Sequence, residues 1–387
     1  MVQSTGKIVV AATVPHTPVG AGPAANDTDM AVLRFNADGT LDTSFGSGGV
    51  KVIDVTTPFV YQPPTLADGG VPPQALSASD QQYSLTLAAD DKLVIHGVEL
   101  GAGDKAGMAG TKRTDADWSL IRLTKDGALD TSFSDDGRVT LDIKEGGASA
   151  RAATVLADGS IIGVGYTSVA GVLDSTTTNR QQPVLFKVKS DGSFDSSFAT
   201  ADQYAAPGVF YDFITPKMTN AEAYGAAPQG DKFVSVGYGP TDGTGTGTDF
   251  IFSRFNQDGS HDKTFGTGGA TYMDPGGYGD NGRAVAVLPD DRIIGAGGGR
   301  AKPATPPAMG TNPPTDGMVA ILKPDGKADT SFGEGGMKLY DFGGTGDFLW
   351  GVSVAPDKKS VAVVGIATPA AADTGNDDGA LVLIPLP

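Results

Sequence analysis

Carboxylates are the side chains here whose placement could do chemistry. A short apolar run ends in aspartate five times, at Asp54, Asp142, Asp212, Asp274 and Asp341. Carboxylates held close together repel, and a hard, oxygen-seeking cation such as Ca²⁺ relieves the repulsion. An aspartate at the end of a strand can also accept backbone N–H bonds and cap the turn that follows. The five positions therefore carry two readings, a metal-binding ring and a set of turn caps. Recurrence at one place in every copy suits the caps in particular.

A second set of aspartates lies in a repeated motif. It reads Asn36-Ala37-Asp38-Gly39-Thr40-Leu41-Asp42-Thr43-Ser44-Phe45-Gly46 and returns at 125–133, 190–198, 257–266 and 324–333. The Asp-Gly pair supplies the positive φ of a tight turn. The second aspartate (Asp42, Asp130, Asp195, Asp262, Asp329) is placed to cap one helical or 3₁₀ turn. Phe45, Phe133, Phe198, Phe265 and Phe332 are expected to wedge between neighbouring units. Arg34, Arg122, Lys187, Arg254 and Lys323 recur on or just after the strand before the motif and either pair with its carboxylates or snorkel. An EF-hand calcium loop would need Asp-x-Asp-x-Asp-Gly, which never occurs. The stretches Gly276–Asp280 and Gly343–Asp347 touch the calcium-binding nonapeptide pattern but lack its tandem period.

No catalytic residue is assigned. The three histidines, His16, His96 and His261, sit in no recurring context. There is no Gly-x-Ser-x-Gly elbow and no phosphate-binding loop. With 45 acidic residues, a hydrolase carboxylate pair could be drawn almost anywhere. The absence of cysteine removes disulfides, zinc–thiolate sites and thiol catalysis. A net charge of −17 disfavours nucleic acid and anionic membranes. No apolar run is long enough to span a bilayer, and Met1-Val2-Gln3-Ser4 shows no signal peptide.

The elements that must position these groups are short and β-branched, bounded by Gly, Asp and Pro. Around each motif four runs return, as at 50–54, 84–89, 92–97 and 118–123. None has a helical period of useful length. Four strands per repeat and about six repeats describe an all-β chain, a single β-propeller over 1–387. Counting the run after the motif as the first strand gives blades at 1–36 (partial), 49–123, 137–189, 207–256, 269–323 and 336–387. The first blade then lacks its inner half, through missing upstream residues or strands supplied by another chain, and residues 7–36 leave an edge open to pairing. First strands would line the channel, so the five aspartates would ring its mouth. Loops at 15–29, 57–82, 100–117, 168–182, 239–249, 300–316 and 368–378 share that face and differ in every repeat, which suits recognition.

The phrase running from Arg34 through Asp38-Gly39, Asp42, Ser44-Phe45 to Gly48-Gly49, with its partner phrase ending at Gly97, resembles delta-60 repeats. The resemblance extends over essentially the whole chain. Departures include Ser134 and Ala199 in place of the glycine after Phe, and Thr5-Gly6, Asp90-Asp91, Asp290-Asp291 and Asp357-Lys358 in place of Asp-Gly. It implies a propeller-type domain of bacterial, often secreted or surface, proteins, with no established reaction. The leading expectation is a non-catalytic extracellular or cell-surface module binding a protein or glycan through its variable loops. One alternative is a hydrolase or lyase with a site at the channel mouth. The other is a structural unit that self-associates through the first blade. No cofactor is required, and Ca²⁺ is the candidate ion.

Overall fold

Tight Asp-Gly and Gly turns at short intervals leave these β-branched runs little choice but antiparallel ladders. The computed structural model describes residues 1–15, 28–55, 80–104, 106–110, 113, 115–143, 147–168, 181–199, 209–210, 221–240, 247–303, 312–343, 346–368 and 378–386. Among these the chain is all-β apart from a single 3₁₀ turn at Ala89–Asp91, with six small antiparallel sheets.

The first sheet holds β1 (Ile8–Pro15), β2 (Thr28–Phe35) and β3 (Val50–Ile53). The second orders β4 (Gln81–Leu87), β5 (Leu93–Leu100), β6 (Ala116–Leu123) and β7 (Arg138–Leu141). The third contains β8 (Gly147–Val155), β9 (Ile161–Ser168), β10 (Gln181–Val188) and β11 (Val209–Phe210). The fourth orders β12 (Glu222–Gln229), β13 (Lys232–Pro240), β14 (Thr248–Asn256) and β15 (Ala270–Met273). The fifth orders β16 (Asn281–Val287), β17 (Ile293–Gly299), β18 (Asp316–Leu322) and β19 (Met337–Tyr340). The sixth holds β20 (Phe348–Val354), β21 (Ser360–Ala367) and β22 (Asp378–Pro385).

This grouping is one strand out of phase with the predicted blades at 49–123, 137–189, 207–256, 269–323 and 336–387. The run after each motif closes the preceding sheet and does not open the next: Val50 faces Leu33, and Arg138 faces Ile121. The motif itself causes this. It folds back on the strand before it, with Asp42 N–H donating to Arg34 O (2.8 Å) and Arg34 N–H to Gly49 O (3.1 Å). The first sheet correspondingly has more than the expected half. Beyond its three strands, Val2 bridges to Ile8, and the Met1 amino group donates to Val9 O at 2.9 Å.

The opening strand of four sheets carries a β-bulge, at Tyr83, Tyr224, Arg283 and Trp350. The bulge presses a carbonyl onto the next strand, where only glycine fits. A Cβ on Gly297 would lie 2.0 Å from Asn281 O, and one on Gly237 1.9 Å from Glu222 O.

Two compact units divide the residues: Met1–Gly163 with Thr167–Val169 and Lys187–Asp195, and Val164–Tyr166 with Ala170–Phe186 and Ser196–Pro387. The division runs through the third sheet. In the first unit Val9, Met30 and Val32 pack on Leu93, Ile95, Ile121 and Leu123. In the second, Val234, Phe250 and Phe252 pack on Ile293, Met318 and Leu322. There too, Ile294, Val319 and Ile321 pack on Val361, Val363, Val382 and Ile384. Each core is thus one face of a sheet against the opposite face of the next.

Gly297→Ala should lower stability by about 1–3 kcal/mol in urea unfolding, because backbone must move to admit the methyl. Gly147→Ala, with nothing within 4 Å of the added atom, should stay within about 0.5 kcal/mol of wild type.

Candidate carboxylate clusters

At the motif end of the sheets the carboxylates are bound internally. Arg34 Nε donates to Asp42 Oδ2 at 2.7 Å, and Lys7 Nζ lies 3.0 Å from the same oxygen. Arg122 and Lys92 serve Asp130 at 2.7 and 2.9 Å, and Arg254 and Lys232 serve Asp262, both at 2.7 Å. Lys187 reaches Asp195 at 3.3 Å. The other Asp42 oxygen accepts the Ser44 hydroxyl (2.7 Å) and N–H (3.2 Å), which is the expected cap. The bonds from Ser44 and Lys7 hold the Asp42 carboxyl well below the usual range. Burial would raise Asp130 and Asp262, but their hydroxyl, lysine and arginine donors outweigh it, and both also sit low. In the fifth copy the expected partner, Lys323, is not the one used. The strand position that carries arginine elsewhere is Ile321, and Arg292 binds Asp329 at 3.0 Å instead.

These junctions also join successive repeats. The guanidinium lies over the motif phenylalanine, 4.8 Å from the Phe45 centroid and 4.5 Å from that of Phe133. Its Nη1 donates to a carbonyl in the next motif, Arg34 to Lys125 O and Arg122 to Ser190 O, both at 2.6 Å. The next Asp-Gly turn rests on the phenylalanine ring. A Cβ on Gly127 would stand 2.9 Å from Phe45, at a φ of +90°.

The opposite end gathers acids without that supply of bases. Asp29, Asp54 and Asp80 bring oxygens within 4.8 Å of one another, as do Asp115, Asp117 and Asp142, and Asp316, Asp341 and Asp347. The antiparallel register puts the acid that opens one strand beside the acid that ends its partner: Met30 faces Ile53, so Asp29 and Asp54 are neighbours, and Trp118 faces Leu141, so Asp117 and Asp142 are. In the first and third sets the remaining acid comes from the segment entering the next sheet and is tied to backbone, whereas in the second it is Asp115, just before β6. Asp80 Oδ2 accepts Val55 N–H at 2.7 Å, and Asp347 Oδ2 accepts Phe342 N–H at 2.8 Å. Asp249, Asp274 and Asp280 occupy the equivalent positions in the fourth repeat.

Of the five predicted ring residues, Asp54, Asp142, Asp274 and Asp341 therefore each join a separate cluster. Asp212 lies outside the described residues. The strand preceding each of these aspartates is the far edge of its own sheet from the opening strand. The partners that sequence reasoning missed had a signal. Thr-Asp opens the same strand at Thr28-Asp29, Thr248-Asp249 and Thr315-Asp316, and Asp280 and Asp347 end the two Gly-rich stretches.

The second cluster contains a protein cation. Arg113 is buried, and its Nη2 contacts Asp115, Asp117 (2.5 Å) and Asp142 (3.1 Å). Burial pushes Asp117 up to about 6 even so, with Arg113 opposing the rise. In the Asp316 cluster, burial and then the charges of Asp341 and Asp347 raise Asp316.

The two described histidines make other contacts. His96 is buried, its Nδ1 2.9 Å from Ala152 O, and burial drives it down to about 4. His261 stacks on Phe255, and His16 lies outside the described residues. The bulges, unseen in the sequence, build one further group: Arg283 Cζ sits 3.7 Å from the Tyr224 ring centroid, 4.9 Å from Phe348 and 4.7 Å from Trp350.

A family profile described as "Domain of unknown function (DUF5122) beta-propeller" matches residues 3–45 and 110–133, which take in the first two motif copies. No curated protein matches the chain. Among solved structures, a glucose dehydrogenase aligns at 12% identity and a TM-score of 0.43, covering 95% of this chain and 94% of that one. The ulvan lyase of a polysaccharide lyase family aligns at 12% and 0.43, covering 99% and 78%. A gluconolactonase from Xanthomonas campestris aligns at 13% and 0.39, covering 93% and 82%. Likeness this distant says nothing about chemistry.

Arg113→Met should destabilise by on the order of 3 kcal/mol at pH 8, since it strands buried charge. A folded-state carboxyl held above its unfolded pKa favours folding below about pH 4 and loses that advantage as pH rises through the folded value. Urea titrations should therefore find the deficit of Arg113→Met smaller at pH 5 than at pH 8.

Proposed function

We propose that this chain is a non-catalytic interaction module of propeller-type repeat sheets, which joins a second copy of itself, sheet face to sheet face, outside the cell or at its surface. The observation that carries this reading is an uncovered face on the sixth sheet. Leu381 and Leu383 of β22 are 60% and 65% exposed, and Val364 of β21 is 47% exposed. The strand registers make Val319 and Ile321 the counterparts of Leu381 and Leu383 in the fifth sheet. There the same positions are 0% and 2% exposed, covered by the sixth sheet. An apolar sheet face of this kind marks an interaction site.

The occupant is the first sheet of another copy. Every core described above joins one face of a sheet to the opposite face of the next, and the first sheet offers that opposite face. On it Val10 and Val52 are exposed, flanking Leu33. Burying these five partly exposed aliphatic side chains yields on the order of 6 kcal/mol, against an association cost on the order of 4 kcal/mol or more. The pairing is therefore weak and concentration-dependent. The DUF5122 match over the first motif copies supports the propeller-type reading of the repeats.

Light scattering after size exclusion tests it. Average mass should climb between about 1 and 100 µM, and Leu381→Glu combined with Leu383→Glu should hold the chain at monomer mass with an unchanged far-ultraviolet spectrum. A wild-type chain at monomer mass throughout that range would overturn the reading.

A further inference from the structure

The carboxylate set of the fourth repeat departs from its counterparts at one atom. Asp280 is 1% exposed, and its Oδ1 accepts Arg300 N–H at 2.8 Å. Its Oδ2 is buried and has no hydrogen-bond partner. In the counterparts that oxygen is held by the residue after the strand-end aspartate, Val55 for Asp80 and Phe342 for Asp347. Here that residue is Pro275, which has no N–H to give. The adjacent Asn281 Oδ1 is likewise buried without a partner. Two unmatched acceptor oxygens in sequence call for a donor or a cation.

We propose that Asp249, Asp274 and Asp280 bind a calcium ion, with Asp280 Oδ2 as the buried ligand that Pro275 leaves available. The site goes beyond the sheet-face reading and does not depend on it. All three donors are hard carboxylate oxygens. Calcium accepts six to eight such ligands, water and carbonyls included, in flexible geometry, whereas magnesium demands a near-ideal octahedron. Asp274 is already fixed, since its Oδ1 accepts the N–H groups of Gly276 (2.9 Å) and Gly277. The three acids are more widely spread than the clusters whose oxygens all lie within 4.8 Å, and an ion bonded at about 2.3–2.6 Å draws them in. Arg113 is independent evidence that this position in the repeat takes a positive charge: it fills the second cluster with a guanidinium.

Burial raises Asp280 to about 8; the Arg300 N–H bond opposes this, and the charges of Asp274 and Asp249 reinforce it. The Arg300 side chain is directed to the Gly279 and Pro313 carbonyls. Tyr272 stays neutral, lifted to about 12 by burial and by the charge of Asp249.

The test titrates the intact chain with calcium by calorimetry and with terbium by tyrosine-sensitised luminescence, Tyr272 being the nearby sensitiser. Wild type should show a saturable site. Asp280→Asn should weaken it at least tenfold, and Asp341→Asn, in a different cluster, should leave it unchanged. Pro275→Ala keeps all three carboxylates but restores an N–H, and should weaken binding as well. Wild type taking up no calcium at about 10 mM, a level above the weakest extracellular modules, would overturn the site. So would affinity unchanged in both Asp280→Asn and Pro275→Ala.

Discussion

The ion pair between the motif aspartate and the arginine of the strand before it holds the repeat together. One carboxylate, such as Asp42, takes a guanidinium and an ammonium on one oxygen and a turn cap on the other. The arginine then reaches the next motif and covers the phenylalanine. A buried charge pair is worth little to stability in itself, and its desolvation can exceed its attraction. Its value here is geometric. It orients a fork of donors that fixes the strand, its turn and its neighbour in one arrangement. Where the arginine is absent, as at Ile321, Asp329 pairs with Arg292, which stands where Lys7, Lys92 and Lys232 stand in the other copies. One of the two usual bases suffices to neutralise it.

The two ends of each sheet then diverge in chemistry. At the motif end the second motif aspartate of each copy has its base. At the other end the same strand register collects acids with few bases, and each cluster resolves the excess in its own way. Asp347 accepts backbone N–H groups from Phe342 and Thr368 on its two oxygens. Asp117 takes an arginine from the loop before it. Asp280 has a proline where a donor stands elsewhere. One end of the sheets thus supports three electrostatic solutions, set by the residues around each cluster.

Much of this was legible beforehand and some was not. The strands, the capping role of Asp42 and its equivalents, and the seat of Phe45 beneath the next turn follow from local chemistry that recurs in the sequence. Four of the five basic partners were legible for the same reason. The strand phase was not, because a run placed between two motifs can pair with either neighbour, and hydrophobicity does not choose. That one ambiguity decides which sheet Asp54, Asp142 and Asp341 end: each follows the closing strand of its own sheet, not the opening strand of the next. The bulges at Tyr83, Tyr224, Arg283 and Trp350 were hidden too, although Gly97, Gly237, Gly297 and Gly365 recorded them as places where a methyl will not fit. Asp29, Asp80 and Asp280 escaped notice because their partners come from three separate segments.

The strand phase also sets where this kind of chain can be cut and copied. A segment running from one motif to the next carries an incomplete sheet, because its closing strand lies beyond the following motif. A segment from one bulged strand to the edge strand after the motif, as from Asn281 to Tyr340, carries a whole sheet with its motif and both turns. Recombination that lengthened or shortened such an array would leave folded products only with breakpoints in the acid-rich connections between sheets. Those connections are also where the sequence varies most in length, so the segments freest to diverge coincide with the seams along which the protein can be rearranged.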